Sequence, residues 1–246
     1  MSEVIRNLVK EYSDREEIWL TDAQLSALEQ YASMLVKTNE VMNLTNITDD
    51  EGIAVRHFID SLTLVPYIRE EQKQAGRREL SVIDVGTGAG FPGLVLKIAM
   101  PELRLTLLDS LNKRLNFLNE VSTALGLKDV RTVHGRAEDA GRDAKLREKY
   151  DISCARAVAA LPVLCEYCLP FVKPEGAFLA MKGNVDEEEQ ASSKAILVLG
   201  GKKEKTDKFL LPGTDMNRSV VVVRKIRPTP KGYPRQAGKP SKDPLV

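Results

Sequence analysis

The chain has 246 residues, 43% of them apolar, which is enough for one sizeable core with at most one appendage. Its 36 basic and 35 acidic side chains nearly cancel, yet from Arg224 to Val246 seven Lys or Arg face one acid, a local net of about +6 that suits phosphate backbones. No apolar run is long enough to span a bilayer and no signal-peptide pattern occurs, so membrane insertion and export are not expected and the cytoplasm is the expected compartment.

Residues 1–75 read as a helical cap. Thr21-Asp22-Ala23-Gln24 fits a capping box, in which the Thr21 hydroxyl accepts the Gln24 N–H while the Gln24 side chain reaches back. Leu25, Leu28, Ala32 and Leu35 then recur at helical spacing. A further helix is expected from Asp49 or Asp50, with Val55, Phe58, Ile59, Leu62 and Val65 as its apolar stripe. His57, Asp60 and Ser61 lie on an adjoining polar stripe. The charged link from Glu70 to Glu79, with Gly76 inside it, ends the cap.

From residue 80 the pattern alternates. Strands are expected at 81–85, 104–108, 130–133, 151–155, 176–181, 205–211 and 219–226, and helices at 92–99, 111–125, 158–171 and 186–199. Alternation of this kind predicts an α/β fold with a doubly wound sheet. The short Pro-Gly connection from Pro212 to Asn217 makes the last two strands an antiparallel hairpin. Residues 76–227 would form this domain, and the Pro-, Gly- and Lys-rich stretch 228–246 reads as an extended basic arm.

The segment Val82-Ile83-Asp84-Val85-Gly86-Thr87-Gly88-Ala89-Gly90-Phe91-Pro92-Gly93 carries the chemistry: a short apolar strand, a glycine-rich turn, then a helix. Gly88, Gly90 and Gly93 match G-x-G-x-x-G literally, but the glycine that follows the strand is Gly86. Counted from there, the third glycine of a dinucleotide fingerprint would be Phe91, whose bulk obstructs a pyrophosphate at the helix N-terminus. Read instead as D-x-G-x-G-x-G, with Asp84, Gly86, Gly88 and Gly90, the turn resembles motif I of methyltransferases that use S-adenosylmethionine. That ligand has no phosphates. Gly86 and its neighbours would contact its methionine end, with Asp84 near the ammonium. Asp109, closing the next apolar run, would take the ribose hydroxyls. Ala137-Glu138, after the third strand, would meet the adenine. A seven-stranded sheet ending in an antiparallel hairpin is the usual shape of class I methyltransferases, and here an N-terminal helical extension is added to it.

Cysteine chemistry is not expected. Cys165-Glu166-Tyr167-Cys168 has no second pair and no nearby histidine in sequence, so no metal site is assigned. Cys154 falls within a strand and reads as a core thiol rather than a nucleophile.

The chain is further similar to the 16S ribosomal RNA methyltransferase G family, RsmG, also called glucose-inhibited division protein B. The resemblance rests on Asn43-Leu44-Thr45, His57-Phe58-Ile59-Asp60-Ser61-Leu62, Asp84 to Gly93, Asp109-Ser110 with Lys113-Arg114, and Gly135-Arg136-Ala137-Glu138. It continues through Arg156-Ala157-Val158, Met181-Lys182-Gly183, and the ending Tyr233-Pro234-Arg235 to Pro244-Leu245. Thr38 departs from it, where an aromatic residue would be expected. The resemblance implies methylation of N7 of a guanine, position 527 in the 530 loop of 16S rRNA, with S-adenosyl-L-methionine as donor. It maps cofactor contacts onto Gly86, Phe91, Ala137, Glu138 and Arg156.

Guanine N7 already offers a lone pair, so alignment and electrostatics matter more than a general base. The catalytic candidates are Asp60, His57, Arg156 and Lys182; Asp60 either stabilises the cationic purine or pairs with His57. The Asn-Pro-Pro-Tyr type sequence of exocyclic amine methylation is absent after the fourth strand. Lys113, Arg114, Arg136, Lys182, Arg235 and Lys239 are candidates to hold RNA phosphates. The expected partner is 16S rRNA or the 30S subunit, and the expected state a monomer. A small-molecule methyltransferase and a non-catalytic S-adenosylmethionine- or RNA-binding module stand as alternatives.

Overall fold

The computed structural model describes residues 3–246; the first two residues of the expected cap lie outside them. Seven strands form one sheet: β1 (Ser81–Val85), β2 (Arg104–Asp109), β3 (Val130–His134), β4 (Tyr150–Arg156), β5 (Val172–Lys182), β6 (Gly201–Leu210) and β7 (Asn217–Lys225). Their spatial order is β3-β2-β1-β4-β5-β7-β6. All pairings are parallel except those of β7, which runs antiparallel to both β5 and β6. The doubly wound sheet with a terminal hairpin is therefore present as the pattern predicts. The order reverses between β1 and β4, which opens a crevice at the carboxyl ends of those strands.

Strand residues alternate between two cores because successive side chains point to opposite faces, with one break in β4, where an irregularity between Tyr150 and Ile152 shifts the register. Val82, Leu105, Leu107, Ile152, Leu179, Val220 and Val222 face one core; Ile83, Val85, Leu108, Phe178, Val221 and Val223 face the other. The same parity carries Asp84, Asp109, Arg156 and Arg218 onto the first face, where they sit at or near strand ends.

The N-terminal helices cover that first face. Helix Asp22–Met42 begins with the expected capping box and buries Leu25, Leu28, Tyr31, Ala32 and Leu35. Asp49 caps the next helix, Asp50–Ile53, its carboxylate accepting the Gly52 N–H at 2.6 Å. The chain then widens into a π-helical segment, Ala54–Ile59, before Asp60–Leu62. Single π turns of this kind are frequent at functional sites, and this one carries Arg56 and His57. Helix Val65–Ala75 stops at the left-handed Gly76. One continuous core joins Ile5, Leu35, Phe58 and Ile68 to the strands, so the cap is a layer of the fold.

Two helices differ from expectation. The helix read as 158–171 starts only at Leu161, because Ala157 adopts a left-handed φ of 55° and residues 157–160 form a loop above β4. The helix read as 186–199 is interrupted at Ser192, giving Asp186–Ala191 and Ser193–Val198. The C-terminal arm is not a free extension. It folds back over the second face, with Tyr233 and Leu245 against the core there and a short helix at Lys239–Lys242.

Candidate active site

The glycine turn is stitched to its surroundings on three sides. The Gly86 and Thr87 N–H groups donate to the Leu108 carbonyl at 2.8 and 3.1 Å, tying the turn to β2. Gly88 N–H donates to Asp109 Oδ2 at 2.9 Å. The Tyr31 hydroxyl, from the cap, donates to the Ala89 carbonyl. Gly86 has φ of 72°, and a Cβ there would lie 2.7 Å from Val158, so both conformation and space demand glycine.

Asp84 lies beneath the turn and lines no cavity. Its Oδ2 accepts from Thr87 Oγ1 at 2.7 Å and from Gly93 N–H at 2.9 Å, while Oδ1 has no partner among the described residues. Burial pushes its carboxyl up to about 6, against the two hydrogen bonds that favour the charged form. An orphaned carboxylate oxygen under a glycine turn is an acceptor in want of a donor, which fits a ligand that carries an ammonium group.

A cleft of about 450 Å³ opens beside the turn, lined by Gly86, Asp109, Arg114, Arg136, Ala137, Glu138, Val158 and Tyr167 among others. Its size suits a nucleoside-type ligand. Asp109 is held rigidly: Oδ1 accepts the Leu111 N–H at 2.9 Å, and Oδ2 receives Gly88 and, at 3.4 Å, Arg114. Glu138 is buried, and its Oε1 accepts the Gly238 N–H at 2.8 Å. Asp109 and Glu138 thus reach one cleft from the end of β2 and from the short helix Ala137–Ala140 that follows β3. Arg136 is exposed at its rim, and Lys113 is exposed beyond it.

A second recess, of about 360 Å³, is lined by Ile47, Arg56, His57, Asp60, Arg156, Ala157, Met181, Lys182, Gly183 and Arg218. Ala157 lines both cavities. The recess is cationic and its charges are fixed. Asp60 holds Arg156 through Oδ2 at 2.8 Å and Arg218 through Oδ1 at 2.9 Å, so it is not a free carboxylate. Arg156 also donates to the Arg56 carbonyl at 2.9 Å. His57 Nδ1 faces the Arg156 guanidinium at 3.2 Å, and a guanidinium can only donate. The Arg56 carbonyl, which can only accept, lies at the same 3.2 Å from Nδ1, while Nε2 bonds Thr45 Oγ1 at 2.8 Å. Burial first, and the Arg156 charge second, lower the His57 imidazole to about 3, so it is neutral. Lys182 donates to the Ala159 carbonyl at 3.0 Å and pairs with Glu188 at 2.8 Å.

Phe91 lines neither cavity. It is stacked between His57, with centroids 4.3 Å apart, and Tyr31, at 5.4 Å, and Arg156 lies over its ring at 5.2 Å. It thus joins the turn to the recess. The two remaining RNA candidates lie on the arm: Arg235 is turned inward onto Glu166 at 2.7 Å, and Lys239 pairs with Asp243 at 3.1 Å. Cys154 is buried, and desolvation raises its thiol well above the ordinary range, as it does for Cys165 and Cys168.

Sequence reasoning missed Arg218, Arg56, Tyr31 and Tyr167. A signal existed for two of them. Arg218 shares the parity of Val220 and Val222, and Tyr31 continues the Leu28–Leu35 stripe. Tyr167 gave none beyond its place in an apolar helix.

The chain matches the family model described as rRNA small subunit methyltransferase G over residues 24–217. It is 53% identical to the ribosomal RNA small subunit methyltransferase G of Acetivibrio thermocellus, over 98% of this chain and 97% of that one. Its likeness to the same-named protein of Alkaliphilus metalliredigens is 52%, over 92% of each. Among solved structures, a mutant of MtNAS in complex with S-adenosylmethionine superposes with a TM-score of 0.54 at 15% identity, over 82% of this chain and 73% of that one. A mutant 16S rRNA (adenine(1408)-N(1))-methyltransferase from Catenulisporales acidiphilia gives 0.52 at 15% identity, over 66% and 93%. These two share the fold, while the near full-length identity to the curated relatives settles the kinship: the chain belongs to the rRNA small subunit methyltransferase G family, GidB.

Proposed function

We propose that the protein transfers a methyl group from S-adenosylmethionine to N7 of a guanine in 16S rRNA, nucleotide 527 of the 530 loop. The observation that carries this reading is the meeting of the two cavities at Ala157, where the end of β4 divides a cleft with ribose- and adenine-type acceptors from a cationic recess. The relatives' own name, ribosomal RNA small subunit methyltransferase, supports an rRNA acceptor.

The cofactor supplies an electrophilic methyl group when bound. Gly86, Ala137 and Glu138 contact it, Asp109 takes its ribose hydroxyls, and Asp84 provides an acceptor beneath the turn. Phe91 and Gly88 hold the turn in shape from behind. Because N7 carries its own lone pair, no residue has to remove a proton. His57 is in keeping with this: it is buried, neutral and packed beside the Arg156 guanidinium, and no base is asked of it. Arg156 and Lys182, with Arg56 and Arg218, face the acceptor and its phosphates, and Lys113, Arg114 and Arg136 extend the positive rim. The target base is presented unpaired, since A-form duplex hides the edge that bears N7. The protein acts as a monomer in the cytoplasm, on free 16S rRNA or on the 30S subunit. Among the described residues no helix is long and apolar enough to cross a membrane.

Incubation with methyl-labelled cofactor and, separately, 30S subunits, free 16S rRNA and a metabolite pool tests this. Label mapped to guanine 527 is the expected result. Label on metabolites alone, or cofactor binding without transfer, overturns it.

A further inference from the structure

The arm at 228–246 is fastened at points that belong to the cofactor cleft. Glu166, 1% exposed in the helix Leu161–Cys168, receives three donor groups of Arg235: the backbone N–H at 2.7 Å on Oε1, Nε shared between Oε1 at 3.0 Å and Oε2 at 3.1 Å, and a terminal guanidinium nitrogen at 2.7 Å on Oε2. A forked guanidinium on a buried carboxylate is a rigid anchor. Three residues on, Gly238, with φ of 82°, turns its N–H onto Glu138 Oε1. Ser241 Oγ then meets the Tyr167 hydroxyl at 2.7 Å. Glu138 and Tyr167 both line the cleft, from two different helices.

We propose that the C-terminal arm is a strap that positions the wall of the cofactor cleft: Arg235 anchors it on Glu166, and the Gly238 N–H fixes the carboxylate of Glu138. This rests on the cofactor reading above. A carboxylate pinned through one oxygen has its plane set, and Glu138 Oε2, which accepts from no protein donor among the described residues, is presented in one orientation to the ligand. Arg235 and Gly238 are positioning residues that act through Glu138.

Calorimetry of S-adenosylmethionine binding, without RNA, tests the strap on the full chain. Arg235→Ala is expected to weaken Kd roughly tenfold, the size of one lost charge-assisted hydrogen bond. Arg235→Lys, which keeps the charge without the fork, falls between. The double variant Arg235→Ala with Glu138→Ala should bind no more weakly than Glu138→Ala alone, because the strap works through that carboxylate. Multiplying losses would mean two unconnected effects and overturn the proposal, as would an unchanged Kd for Arg235→Ala. If Arg235→Ala fails to fold, the wild-type protein still decides. Coupling is reciprocal, so saturating cofactor must slow amide exchange at Gly238, and exchange indifferent to cofactor refutes the strap. Failure of the wild-type protein to bind the cofactor at all would instead refute the underlying function.

Discussion

Asp60 holds two guanidiniums at once, and that arrangement sets what its loss does. With the carboxylate gone, Arg156 and Arg218 face each other, both largely buried, without their shared counter-ion. Removing one partner of a buried ion pair costs about 3–5 kcal/mol, and the partial exposure of Arg218 places Asp60→Ala near about 3 kcal/mol. Asp60→Asn, which keeps an acceptor but not the charge, should cost less while still lowering activity, because Arg156 loses its lock. Urea unfolding of both variants checks the order; equal stabilities would mean that the retained acceptor contributes nothing and the lost charge is the whole effect. His57 adds a pH signature. Its imidazole titrates near 6.5 when unfolded and about 3 when folded, so the unfolded chain binds the extra proton between those values. The associated stability is complete above pH 6.5 and is lost as pH falls through that window towards 3. The urea midpoint of the wild-type protein should therefore drop more steeply from pH 7 to 4.5 than that of His57→Gln. Parallel curves would show that His57 is not the group responsible.

At the scale of elements, the glycine turn is the part that was most legible in the sequence. The spacing Asp84, Gly86, Gly88, Gly90 fixes a strand, a turn and a helix, and the turn's conformation leaves a physical mark that a substitution can read. Gly86→Ala is strained at φ 72° and also drives a Cβ to within 2.7 Å of Val158. Gly126→Ala has nearly the same φ, 62°, with open space around it. Backbone strain alone is about 1–2 kcal/mol, so Gly126→Ala should lose about that much stability and keep cofactor affinity. Gly86→Ala should lose more stability and its cofactor affinity together. Equal effects on binding would mean that the cleft does not depend on the turn. Phe91 shows where legibility stopped. Its position in the motif is visible, but its contacts are set by Tyr31 and His57, two residues distant in sequence that the sheet and cap bring against it. The loop at 157–160 was hidden for a related reason. A left-handed alanine carries no sequence signal, and the apolar run that follows β4 continues the pattern of a helix that starts only later.

For the molecule as a whole, the basic ending illustrates the difference between composition and free charge. The sequence places seven cations between Arg224 and Val246, and composition alone fits a phosphate-binding patch and a solvated tail equally. The fold directs three of them inward. Arg224 pairs with Glu71 and Glu204, at 2.6 and 2.9 Å. Lys225 is fully buried, donating to the Leu169 and Val172 carbonyls, and burial lowers its ammonium to about 8. Arg235 is committed to Glu166. Lys231 and Lys242 are exposed and have no ion pair among the described residues. Only cations that meet phosphate release counterions, and each such contact contributes about −0.7 to the slope of log K against log salt on single strands. Replacing Lys231 and Lys242 together by Gln should therefore make the slope for substrate RNA shallower by up to about 1.4, whereas Arg224→Gln should leave it unchanged, because that guanidinium serves Glu71. Fluorescence titrations at several salt concentrations measure the slopes directly. A reduction for Arg224→Gln equal to that of a free lysine would mean that the arm's ion pairs open on RNA, and that its inward charges belong to the RNA surface after all.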